Sequence, residues 1–195
     1  MEVNLELATA IRACERCPLS GLRTGLAVPA DMGAHYGGLA IMGEAPGAQE
    51  DAVGKPFVGP AGRILAGLLA DVGLSRNDIL ILNRVRCRPP RNDLKSHPEA
   101  VEACDQWTKA ELEAYNPAVV ICVGATAIGS IFGAKATVGE VRGTVRSTGP
   151  TFEYGSRLWV PTYHPASLLP YRRPQNRPLV VADLMLAKEL LNVVG

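Results

Sequence analysis

The sequence predicts an α/β fold: a three-layer αβα sandwich around a central, mainly parallel four-stranded sheet. Four short apolar runs alternate with stretches of helical spacing. The runs are apolar throughout, as strands covered on both faces require. Strands separated by helices also favour parallel crossovers, with helices on both sides of one sheet.

Residues 3–13 read as a short amphipathic helix ending at a first cysteine pair. Leu39 to Met42 is a strand that breaks into a glycine- and proline-rich loop. Ala61 to Val72 has helical spacing and stops at Gly73, and Ile79 to Val85 is the second strand. Pro98 to Tyr115 is a helix opened by His97-Pro98. Ala118 to Gly124, AVVICVG, is the third strand and leads into a short helix through Ile131. Val138 to Tyr154 is less regular, with room for a hairpin. Leu158 to Tyr163 is the fourth strand and Pro178 to Leu191 the last helix. With no repeat and no linker, one domain over residues 1–195 is expected.

Hydrophobic residues make up 47% and charged residues 20%, an ordinary soluble mixture without a disordered block. No apolar run approaches the ~18 residues of a membrane span. The N-terminal residues lack a secretion signal, so a reducing cytoplasm is the expected location and disulfides are not. A net charge of +1 does not announce a nucleic-acid binder. Its distribution says more: Arg84, Arg86, Arg88 and Arg91 share one short span, and Arg172, Arg173 and Arg177 another. These spans read as a basic face for phosphate, the plain alternative being solubility.

Cys14 and Cys17 form a CxxC pair, followed by Cys87 and Cys104. Four thiolates suit tetrahedral zinc or a cubane cluster, and the spacing does not choose. Treating Cys87 and Cys104 as small buried hydrophobes leaves the CxxC without a role. Redox catalysis by the pair lacks the strand-to-helix setting of thioredoxin-like sites. Cys122, inside AVVICVG, belongs to the core.

In such sheets ligands sit beyond the carboxyl ends of the strands. Three ends carry unusual chemistry: Gly43-Glu44-Ala45-Pro46-Gly47, Asn83 followed by Cys87-Arg88-Pro89-Pro90, and His164-Pro165. The first loop has neither GxGxxG nor a GK[ST] ending, so both common phosphate-loop signatures fail. Its glycines and prolines fit a bent backbone that approaches a ligand closely. Glu44 and Glu50 suit orienting water, and Phe57 is either a stacking face or core. Asn83 offers a donor and an acceptor to an amide-like base edge, or caps the next turn. His164 suits donation to a carbonyl oxygen, whereas His35 and His97 have no comparable setting.

GEAPGAQED, GKPFVGPAG, LNRVRCRPPRN and YHPASLL, in this order and with the four cysteines, resemble the uracil–DNA glycosylase family that carries a 4Fe-4S cluster. The likeness runs from Cys14 through the final helix. It implies a monofunctional, base-flipping enzyme that removes uracil from single- or double-stranded DNA and leaves an abasic site for base excision repair. A monomer without membrane association is expected, and no protein partner is legible. By the same resemblance Cys14, Cys17, Cys87 and Cys104 ligate one 4Fe-4S cluster of structural role. Phe57 lies against the uracil face, Asn83 at its polar edge and His164 near O2. Asn92 or Glu44 helps position the attacking water, and Glu50, Ala45 and Gly47 complete the pocket loop. Arg88, Arg91, Arg172 and Arg173 are the DNA-facing arginines. Ser167, Leu168 and Leu169 stand on the loop that enters DNA, with either leucine as the wedge.

Against cluster-free uracil glycosylases, Ala45 replaces an activating aspartate and Gly47 a tyrosine that excludes thymine. Asp93 stands where the common family form has arginine. The basic, histidine-containing insertion of relatives that attach covalently to DNA is absent, so turnover is expected. No lysine is read into the pocket, which argues against a Schiff-base step. A glycosylase for another deaminated base and a metal-stabilised DNA-binding module without activity are the competing readings.

Overall fold

Each of the four apolar runs forms a strand of one central sheet. The computed structural model describes residues 2–194. Its strands are β1 (Asp31–Met32), β2 (Leu39–Gly43), β3 (Ile79–Asn83), β4 (Val119–Val123), β5 (Arg146–Thr148) and β6 (Arg157–Thr162). The helices are α1 (Glu2–Arg12), α2 (Ala48–Val53), α3 (Pro60–Asp71), α4 (Pro98–Tyr115), α5 (Ala125–Phe132), α6 (Val138–Val141) and α7 (Arg177–Val194). The strand order is β1-β3-β2-β4-β6-β5. The inner four strands are mutually parallel, while β1 and β5 pair antiparallel at the two edges.

The sheet is therefore six-stranded and mixed, correcting the expectation of four parallel strands. The two added edges are short, and pairing them covers the otherwise open ladders of β3 and β6. Val138 to Tyr154 holds no hairpin of its own: it contains α6 and β5, and β5 pairs antiparallel with β6, the fourth apolar run.

Successive strand residues point to opposite faces, which divides the core in two. Leu39, Ile41, Ile79, Ile81, Val119 and Ile121 pack against Leu65, Leu68 and Leu69 of α3 and Val180 and Leu184 of α7. Ala40, Met42, Leu80, Leu82, Val120 and Cys122 pack against Leu112 of α4 and Ala127, Ile128 and Ile131 of α5. Cys122 is wholly buried there, in the core as expected. A third apolar cluster joins Ile11 of α1, Leu19, Val85, Leu94 and Ala100 around Cys87 and Cys104. No helix among the described residues is long and apolar enough to cross a membrane.

Two arginines of the presumed basic span are internal. Arg84 and Arg86 are 4% and 1% exposed. Arg84 pairs with Asp105 at 3.0 Å and Arg86 with Glu111 at 2.5 Å, both partners lying on α4. Thr108 of the same helix accepts from both guanidinium groups. Buried charges persist only with partners of this kind, so this part of the basic face is corrected to a buried network.

Candidate active site

The parallel register ends β2 and β3 side by side, with Gly43 opposite Asn83. A Cβ at Gly43 would stand 2.5 Å from Asn83 Oδ1 and 2.7 Å from two ring atoms of Phe57. Only glycine lets these two side chains meet at the sheet end. Asn83 is 2% exposed, and its Oδ1 is buried with no hydrogen-bond partner. An unpartnered buried acceptor is costly, and such a group at a strand end marks a place for a ligand donor.

Phe57 is held from behind. Arg76, anchored on Asp31, donates to the carbonyls of Phe57 and Pro56 at 3.0 and 2.6 Å. Glu50 closes the same loop: Oε1 accepts from the Val58 and Gly59 amides at 2.9 and 2.7 Å, and Oε2 from Gly47 at 3.1 Å. Both carboxylate oxygens are thereby engaged with backbone. A Cβ at Gly47 would lie 2.7 Å from Glu50 Oε2, so bulk at position 47 and this tether exclude each other. Ala45 turns toward the cysteine-containing cluster and packs on it.

His164 follows β6, with its ring stacked on Phe57 at 5.6 Å between centroids and 30° between planes. Nδ1 accepts the Ala166 amide at 3.1 Å, which places the ring proton on Nε2. Burial, reinforced by the positive charge of Arg172, lowers the imidazole pKa to about 4, while Glu50 opposes the shift. The ring is therefore neutral at neutral pH, with Nε2–H as a donor.

Glu44 lies just beyond β2, where Oε2 accepts from Thr126 Oγ1 at 2.5 Å. Thr126 comes from the fourth strand end, β4, which sequence reading passed over because its polar residue lies beyond Gly124 and inside α5. Asn92 is exposed and accepts from Arg88 Nε at 3.0 Å. Phe57, Arg91 and Asn92 have φ of 52°, 55° and 57°, a region non-glycine residues rarely occupy. Such strain concentrates at working sites, and no sequence pattern announced it.

Arg91, Arg172 and Arg173 are exposed and Arg88 half-buried. The turn after His164 is pinned by the Arg172 and Arg173 amides, which donate to Leu169 and Ser167 carbonyls at 2.8 Å each. Leu168 is 5% exposed and belongs to the core, whereas Leu169 is half-buried at the end of the turn. Ser167 Oγ is buried without a partner. Lys55, the lysine within GKPFVG, is exposed and pairs with Asp31 at 3.5 Å.

Cys87 and Cys104 are buried, and Cys14 and Cys17 half-buried. Arg23 Nη1 lies 3.2 Å from Cys87 Sγ and donates to the Cys14 carbonyl at 2.8 Å. Trp107 Nε1 lies 3.2 Å from Cys14 Sγ. None of the four is joined in a disulfide. Among the described residues, no group of three or more His, Cys, Asp or Glu side chains is arranged to hold a metal ion.

The site defined by these strand ends falls in a known class: residues 33–185 match the Uracil DNA glycosylase superfamily. The chain is 37% identical over 187 residues to a type-4 uracil-DNA glycosylase of Thermotoga maritima, covering 95% of this chain and 93% of that protein. It is 36% identical over 195 residues to a type-4 uracil-DNA glycosylase of Archaeoglobus fulgidus, covering 97% and 94%. A Pyrobaculum aerophilum type-4 uracil-DNA glycosylase is 39% identical over 181 residues, covering 89% and 87%. The chain belongs to the type-4 uracil-DNA glycosylase family.

Proposed function

We propose that the chain hydrolyses the N-glycosidic bond of deoxyuridine in single- or double-stranded DNA, releasing uracil and leaving an abasic site. The observation that carries this reading is the buried, unpartnered Oδ1 of Asn83 beside Phe57 at Gly43. It suits the N3–H of uracil, a donor that cytosine lacks at that position. A base within a duplex reaches this depth only by leaving the stack, at a cost of a few kcal/mol. Leu169 is the available wedge for the vacated space, since Leu168 is committed to the core. Arg88, Arg91, Arg172 and Arg173 supply phosphate contacts.

The 5.6 Å between the Phe57 and His164 rings is too narrow for a base, which needs about 3.5–4.0 Å on each side. Uracil therefore meets Phe57 with its face and His164 with its edge. As the glycosidic bond lengthens, negative charge gathers on the base, and neutral His164 donates Nε2–H to O2. DNA phosphates favour the positive charge that develops on the sugar. Glu44 orients the water that attacks the anomeric carbon, assisted by Asn92. Lys55 is exposed and paired with Asp31, which supports a reaction that ends at base release without a Schiff base.

The chemistry of the donor set suits a 4Fe-4S group: four soft donors come from three segments, two of them buried in one apolar shell, with N–H groups directed at Cys14 and Cys87 Sγ. Cys14, Cys17, Cys87 and Cys104 would hold it. When bound, the group supplies a structural crosslink between the N-terminal segment, the end of β3 and α4.

The test is a single-turnover assay of anaerobically purified protein on labelled oligonucleotides carrying one uracil, hypoxanthine, xanthine or mispaired thymine. Alkali-dependent cleavage at uracil is expected, together with equal amounts of bound iron and acid-labile sulfide. Cleavage only at another base would move the specificity, and none at any base would leave a binding protein.

A further inference from the structure

We infer that Thr126 is the positioning residue for Glu44, and that Ser130 and Arg84 hold it in place as part of one closed frame. The inference rests on the water-orienting role proposed for Glu44 above. Glu44 is fixed at its backbone because Val85 N–H donates to its carbonyl at 2.9 Å. Its side chain has three rotatable bonds and would wander in a half-exposed setting. Thr126 Oγ1 donates to Oε2 at 2.5 Å. This leaves Oε1 free to accept from water.

Thr126 is itself fixed within the first turn of α5. Ser130 Oγ donates to the Thr126 carbonyl at 3.0 Å, and Arg84 Nε donates to Ser130 Oγ at 2.8 Å. Arg84 N–H donates in turn to the Gly43 carbonyl at 2.9 Å, adjacent to Glu44. The frame thus runs from Glu44 through Thr126, Ser130 and Arg84 back to the end of β2. Arg84 is further locked by Asp105 at 3.0 Å and Thr108 at 2.9 Å. The ends of β2, β3 and β4 are thereby joined in one frame, with Thr126 the member that touches the Glu44 carboxylate.

The test compares Thr126→Val, Thr126→Ser and Glu44→Gln, alone and combined, by single-turnover cleavage of uracil-containing oligonucleotides and by affinity for the same strand bearing a non-cleavable abasic analogue. A hydrogen bond to a charged group makes the expected slowing about tenfold or more in Thr126→Val. DNA affinity and melting temperature should stay near wild type, and Thr126→Ser should recover most of the rate. In the Glu44→Gln background, Thr126→Val should add little, because the group it orients has lost its charge. Normal cleavage by Thr126→Val, or a full tenfold further loss on top of Glu44→Gln, overturns the positioning role. Wild-type rates in Glu44→Gln overturn the role of Glu44 and with it this one. Inactive wild-type protein overturns the glycosylase reading itself.

Discussion

Replacing His164 by glutamine should make the protein less sensitive to acid, by an amount the structure sets. The imidazole has a pKa of about 4 in the fold, against about 6.5 in an unfolded chain, because burial and Arg172 oppose its protonation. Between these values the unfolded state binds more protons, so stability rises with pH and is lost as pH falls from 6.5 towards 4. Below 4 the loss is complete, at about 3 kcal/mol for a shift of this size. At pH 5 the same linkage gives about 2 kcal/mol relative to pH 7.5. Urea unfolding of wild type and His164→Gln at the two pH values isolates this contribution, since every other titrating group is shared. The wild type should lose about 2 kcal/mol more than the variant. Single-turnover cleavage should show no break near pH 6.5 attributable to His164, and ring nitrogen shifts should report the Nε2–H tautomer at neutral pH. An imidazole titrating above pH 6, or a cleavage rate that follows a protonated ring, would refute the neutral-donor argument.

Asn83→Leu should separate stability from activity. Removing a buried acceptor with no partner should leave unfolding within about 1 kcal/mol of wild type, while uracil cleavage falls by about tenfold or more. Gly43→Ala should drive the new methyl into Asn83 and Phe57, costing about 1–3 kcal/mol in urea unfolding and weakening inhibition by free uracil. Glu111→Gln should leave Arg86 buried with a broken pair, at about 3–5 kcal/mol. Arg86→Met combined with Glu111→Leu should regain much of that stability, and no recovery would show that the pair contributes more than mutual neutralisation.

The residues most legible in advance were those whose surroundings are local. Leu39 to Met42 and Val119 to Val123 are apolar without alternation, and that alone places them in the middle of a covered sheet. Gly43, Asn83 and His164 stood out because polar chemistry follows directly on such runs. β1 escaped notice because Asp31-Met32 carries no strand pattern, and it exists only because β3 offers an open edge. Thr126 escaped because its partner Glu44 lies far away in sequence, and their contact is made by the convergence of β2 and β4.

The buried strands, the main helices flanking them and the succession of glycine, asparagine and histidine at strand ends are legible in the chain alone. Those features follow from periodicity and backbone chemistry, which act over a few residues. Which charges are inside, which leucine stays out of the core and which way the imidazole proton points depend on neighbours brought in by folding. Arg84 and Arg86 look like surface residues until α4 brings Asp105, Thr108 and Glu111 to them. Leu168 and Leu169 look alike until the turn sends only one into the core. Burial and pairing are properties of neighbours that meet only after folding, so composition and spacing carry no record of them.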